Sequence, residues 1–141
     1  MPHVSVRGIS VHYEVRGPGE PLLLLHNGLG RTRSFTAQVA EFSKHFRVIG
    51  YDRHGYGRSE HIAALGKNWL DESVEELSRF LDRLKVEKAH LWGICVGRAI
   101  ALLFPARNPA RVGHIAVAGT CCYGGETVSY THLTLPTNRE V

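Results

Sequence analysis

Leu91-Trp92-Gly93-Ile94-Cys95-Val96-Gly97-Arg98-Ala99-Ile100-Ala101 decides how this chain is read. The stretch reads as a strand that ends in Gly-x-Cys-x-Gly and runs straight into a helix. In so sharp a turn the central residue is held in a strained conformation, with its side chain proud of the sheet. Gly93 and Gly97 are needed on either side, because a Cβ at those places would collide with the neighbouring strand or helix. Cys95 is therefore a candidate nucleophile. It stands at a helix N-terminus, where unpaired backbone N–H groups favour a thiolate and a developing oxyanion.

A lone Gly-x-Cys-x-Gly is a weak signal in a chain with 15 glycines. Two upstream segments strengthen it. Leu24-Leu25-His26-Asn27-Gly28-Leu29-Gly30 and Tyr51-Asp52-Arg53-His54-Gly55-Tyr56-Gly57-Arg58-Ser59 each close a predicted strand. With these segments in this order, residues 3–120 resemble the α/β-hydrolase superfamily. The first is similar to that family's His-Gly loop after the third strand. The second is similar to its Asp-x-x-Gly-x-Gly-x-Ser turn after the fourth.

The resemblance implies that Cys95 is the nucleophile and that the backbone N–H of Val96 is one oxyanion donor. It implies a second donor in the loop after His26, at Gly28 or alternatively at Asn27, which stands where the family usually has glycine. Asp52, Arg53 and Gly55 to Ser59 are implied to be structural, holding the loop beneath the site. Two residues depart from the family pattern. Cysteine replaces the usual serine, as it does in some members such as dienelactone hydrolases, and Arg98 stands where glycine or alanine is preferred. A thiolate attacks thioesters, lactones and activated esters. The implied activity is hydrolysis of such a small-molecule acyl substrate through acyl-Cys95, with no cofactor and no metal. The alternatives are an acyltransferase or synthase using the same cysteine, and a non-catalytic homologue that only binds a small molecule.

Working outward, Val4 and Val6, then Ile9, Val11, Tyr13 and Val15, alternate with polar residues around Arg7-Gly8, which predicts an opening β-hairpin. Pro21 to Leu25 is apolar without alternation, as expected of a parallel strand covered on both faces. Ser34 to Phe46 has helical spacing, Arg47 to Asp52 returns to strand character, and Trp69 to Leu84 carries one apolar helical stripe. The carboxylates Asp71, Glu72, Glu75, Glu76 and Asp82 fall largely off that stripe and predict a solvated face. Ala89 to Ile94, Val96 to Ala106 and Ile115 to Ala118 add a strand, a helix and a strand. The expected fold class is α/β: a mainly parallel sheet flanked by helices, with an antiparallel N-terminal hairpin.

None of the histidines occupies the position of the family's catalytic histidine. His26 reads as structural; His54, His90 and His114 sit in turns or strands without a partner; His3, His12, His45 and His61 read as surface residues. In the superfamily the acid and histidine follow the nucleophile late in the chain. Residues 1–127 are thus expected to be the N-terminal portion of one such domain, without lid, later strands, acid or histidine, and inactive alone. Val128 to Val141 continues no pattern of the fold and matches a translated sequencing-library adapter, so these residues are expected not to be native and His132 is not recruited as a base.

Composition narrows the partners. With 43% hydrophobic and 21% charged residues the chain reads as one soluble globular domain. The net charge of +4 comes from scattered residues, not from a basic stripe with interleaved aromatics, so nucleic acid is not an expected partner. No apolar run is long enough for a bilayer, and no secretory leader pattern opens the sequence. Cys95, Cys121 and Cys122 form neither a disulfide framework nor a metal motif, which makes the cytoplasm the expected compartment. Neither Gly28-Leu29-Gly30 nor Gly55-Tyr56-Gly57 is completed into a dinucleotide-binding loop.

Overall fold

The computed structural model describes residues 2–28, 30–62 and 66–119. Leu29 and residues 120–141, including Cys121, Cys122 and the expected non-native tail, lie outside the described residues.

Six strands form one sheet: β1 (His3–Val6), β2 (Ile9–Arg16), β3 (Pro21–Leu25), β4 (Arg47–Tyr51), β5 (Ala89–Ile94) and β6 (Val112–Ala118). Their order across the sheet is β1-β2-β4-β3-β5-β6. The first two pairings are antiparallel and the remaining three parallel, as expected from the sequence. Arg7 and Gly8 join β1 to β2 with φ of 55° and 79°, the positive pair that a tight hairpin of matching twist requires.

The unbroken leucine run of β3 has a simple cause. Leu23 and Leu25 enter the larger core, together with Val74, Leu77, Phe80 and Leu81 of α2 (Trp69–Arg83) and Ile100, Ala101 and Phe104 of α3 (Val96–Arg107). Leu22 and Leu24 face the opposite side, against Phe35 and the half-buried Val39 and Phe42 of α1 (Thr36–Phe42). Each alternate side chain is thus removed from water on its own face, a gain of about 1.5–3 kcal/mol per leucine. α1 ends earlier than helical spacing predicts, because a turn takes over at Ser43 and returns Phe46 to the sheet.

The structure corrects three of the sequence expectations. Glu76 is buried at 7% exposure instead of lying on the solvated face of α2, whereas Asp71, Glu72, Glu75 and Asp82 are exposed. His12 is buried, not superficial, because β2 lies between β1 and β4 and its backbone N–H meets Ser59. His90 has partners after all: Nε2 lies 2.6 Å from Glu20 Oε2, and Nδ1 accepts the His114 N–H at 2.9 Å. These contacts join residues distant in sequence, which periodicity cannot see.

Candidate active site

Cys95 occupies the junction between β5 and α3 with φ 53° and ψ −110°. A non-glycine residue there costs of order 1–3 kcal/mol and persists only where the surroundings hold it. They do so from both sides. The Cys95 N–H donates to the Ala118 carbonyl of β6 at 3.1 Å, and the Cys95 carbonyl accepts from Arg98 N–H at 3.0 Å. A Cβ at Gly93 would fall 2.5 Å from the Gly97 carbonyl oxygen, and a Cβ at Gly97 would fall 2.1 Å from the Leu25 carbonyl oxygen. Only glycine at both places lets strand, turn and helix close up around the cysteine, which is half-buried and a free thiol.

Gly28 stands directly beside this turn, since a Cβ there would meet Val96 Cγ2 at 3.1 Å. Among the described residues, no hydrogen bond is made by the N–H of Val96 or of Gly28. Arg53 sets the orientation of the Gly28 loop. Its guanidinium donates to the carbonyls of His26, through Nη1, and of Asn27, through Nη2 at 3.3 Å. In a planar trans peptide the N–H points opposite to the carbonyl. Drawing both carbonyls toward Arg53 therefore turns the Asn27 and Gly28 N–H groups to the other side of the loop. The Asn27 side chain folds back over Gly30, where its Oδ1 is buried without a partner.

His26 completes the clamp. Arg53 N–H can only donate to its Nε2, at 3.1 Å, and the Asn27 carbonyl can only accept from its Nδ1, at 2.7 Å. That pair of contacts selects the neutral Nδ1–H tautomer. Burial, aided by the positive charge of Arg53, pushes its pKa down to about 4. With both nitrogens engaged, His26 positions the loop and is no base for Cys95. No histidine or carboxylate among the described residues hydrogen-bonds the Cys95 thiol.

Asp52 anchors the next layer. Its carboxylate accepts the N–H groups of Thr32 at 2.7 Å and Arg58 at 2.9 Å, while Ser59 Oγ donates to its carbonyl. Gly57, with φ 51°, passes so close that a Cβ would sit 2.2 Å from Asp52 Oδ2. Arg98 lies buried on the first turn of α3 and reaches across to donate to the Gly119 carbonyl at 2.9 Å. It spans from helix to strand exit at a position where a small residue was expected.

Sequence reading missed Glu76, whose carboxylate accepts the His54 N–H at 3.2 Å from inside the protein. Its spacing held a clue: Glu76 lies four residues before Phe80 and so at the margin of the apolar stripe. Among the described residues no group of three or more His, Cys, Asp or Glu could hold a metal ion, and no helix is long and apolar enough to cross a membrane.

A buried sheet of this strand order, with a strained cysteine between strand and helix, defines an α/β-hydrolase architecture, and comparison with known proteins agrees. The α/β-hydrolase fold profile matches residues 20–140, and the chain belongs to this family. It is 33% identical over 116 residues to 3-oxoadipate enol-lactonase 1 of Acinetobacter baylyi, covering 81% of this chain and 42% of that protein. It is 36% identical over 116 residues to a 2-hydroxy-6-oxononadienedioate/2-hydroxy-6-oxononatrienedioate hydrolase of Burkholderia vietnamiensis, covering 79% and 40%. Among solved structures, the enol-lactonase of Burkholderia xenovorans superposes with a TM-score of 0.72 at 31% identity, over 81% of this chain and 45% of that one. The chain thus spans about two fifths of the length of these relatives. Hydrolases in general are its kin.

Proposed function

We propose that the protein hydrolyses a carboxylic ester, thioester or lactone through an acyl-Cys95 intermediate. The observation that carries this reading is the strained backbone of Cys95 beside the Val96 and Gly28 N–H groups, which make no hydrogen bond among the described residues. The thiolate attacks the carbonyl carbon, forming a C–S bond while the carbonyl electrons move to oxygen. The Val96 and Gly28 N–H groups stabilise that oxyanion. Its collapse breaks the bond to the leaving group, which takes up from solvent the proton that Cys95 gave up in forming the thiolate, and leaves a thioester on Cys95. Water then attacks the thioester, the C–S bond breaks, and a carboxylic acid and the thiol result.

Proton relay to water calls for a histidine that reaches the sulfur, and none among the described residues does so. The described residues by themselves accordingly carry the reaction only as far as the acyl stage. The enol-lactonase relatives support a lactone or an activated ester as the substrate class. Stopped-flow kinetics with p-nitrophenyl acetate on the full-length protein should show a burst equal to the enzyme concentration, with the acetyl group recovered on the Cys95 peptide. Turnover that survives Cys95→Ala unchanged would rule the intermediate out.

A further inference from the structure

Arg53 is a buried cation that makes no ion pair among the described residues, because its hydrogen bonds go to neutral carbonyls. The carboxylate that answers it lies on a different element. Glu76, on α2, accepts the N–H of the residue following Arg53 and is itself screened from solvent. A chain of contacts therefore runs from Glu76 to the Arg53–His54 peptide, from the Arg53 guanidinium to the His26 and Asn27 carbonyls, and from there to Gly28 beside Val96.

We propose that Glu76 is a positioning residue for the oxyanion loop: its carboxylate fixes the Arg53–His54 turn, so that Arg53 holds the Gly28 N–H toward the elbow. This inference rests on the acyl-cysteine reading above. It adds that the donor geometry depends on the charge of a side chain that never touches substrate. Burial raises the Glu76 pKa to about 7, against the lowering effect of the His54 N–H and the charges of Arg53 and Arg7. Its charged and titratable surroundings are Arg7 from the hairpin turn, Tyr51, Arg53 and His54 from β4 and its loop, and Glu72 from α2 itself. With Arg7, His54 and Glu72 it lines a cleft of about 220 Å³. Above neutrality the charged carboxylate accepts the His54 N–H strongly and sets a negative charge near Arg53. Below it a neutral acid is a weaker acceptor of the His54 N–H, and the negative charge near Arg53 is lost.

The test compares two reactions of Cys95 in the 141-residue chain, read by mass spectrometry of the Cys95 peptide so that Cys121 and Cys122 do not intrude. Acetylation by p-nitrophenyl acetate develops an oxyanion, whereas alkylation by iodoacetamide does not. Their rate ratio cancels thiolate fraction and access and leaves the oxyanion contribution. E76A should lower the ratio about tenfold or more with alkylation unchanged, as expected when a donor is displaced by a fraction of an ångström. The ratio in the unaltered chain should rise from pH 6 to pH 8. E76Q, uncharged at every pH, should hold the ratio at the unaltered chain's pH 6 value throughout.

An unaltered-chain ratio no greater than that of the urea-unfolded chain would defeat the acyl-cysteine reading, and this inference with it. A raised ratio that E76Q leaves both undiminished and equally pH-dependent would defeat the role of Glu76 alone. Should E76A not fold, the near-isosteric E76Q decides the matter.

Discussion

Gly97 lies so close to the Leu25 backbone that a side-chain carbon at 97 would fall 2.1 Å from the Leu25 carbonyl oxygen. That approach seats the first turn of α3 directly on β3, between the elbow and the Gly28 loop. The contact ties the helix that begins at the cysteine to the strand that leads into the Gly28 loop.

Substitution G97A should therefore destabilise the protein by about 2–3 kcal/mol, the upper part of the range for overpacking, because backbone cannot move aside as a flexible side chain can. Urea unfolding monitored by tryptophan fluorescence gives the value. A midpoint within error of the unaltered chain would mean that helix and strand are not in contact as described.

The strain at Cys95 is measurable in the same way. Its φ of 53° and ψ of −110° cost any residue with a Cβ, so C95G should be more stable than C95A by about 1–2 kcal/mol, against the usual preference for alanine. Equal stability of the two variants would show that the turn is relaxed.

Two buried groups make opposing contributions to stability across pH. Glu76 has a folded pKa raised from 4.5 to about 7, so its contribution is full below about pH 4.5 and is lost as pH rises through 7. His26 has a folded pKa lowered from 6.5 to about 4, so its contribution is full above about pH 6.5 and is lost as pH falls through 4. Each amounts to about 3 kcal/mol, and the two slopes offset one another between pH 4.5 and pH 6.5. E76Q removes one of them. Its urea midpoint should drop on acidification from pH 7 to pH 4.5 more steeply than that of the unaltered chain, and should exceed it at pH 8. Parallel pH profiles would refute this opposition.

Helix α2 ends with Lys85 at φ 57°, where Lys85 N–H donates to the Asp82 carbonyl at 3.0 Å and Val86 N–H to that of Leu81 at 2.9 Å. This left-handed cap favours glycine. K85G should raise stability by about 1 kcal/mol, seen as a rise of a few degrees in thermal midpoint, since it relieves strain far from the elbow.

Much of the fold was legible beforehand. The hairpin around Arg7-Gly8, the both-sides-buried leucines of β3 and the strand-to-helix junction at Cys95 all follow from spacing and residue type, because local sterics and solvent exclusion act over a few residues. The clamp on the loop was legible only in part: Arg53 reads as structural from its turn, yet which carbonyls it grips is a matter of approach across 26 and 27 positions of chain. Glu76 was misread because α2 buries a wider face than its apolar stripe shows. His90 was misread because Glu20, its partner, lies 70 residues away.

By itself, then, the sequence determined the order of strands and helices, the turn that carries Cys95, and the glycines that permit it, since each is dictated by backbone geometry within a short window. Only the tertiary structure decided which carbonyls Arg53 grips and which carboxylate lies buried against the Arg53–His54 turn. Those outcomes arise where Glu76, the Arg53–His54 turn and the loop before Gly28, from three separate elements, are joined by hydrogen bonds. There the energy of a charge depends on what the fold sets beside it, and no periodicity along the chain records that.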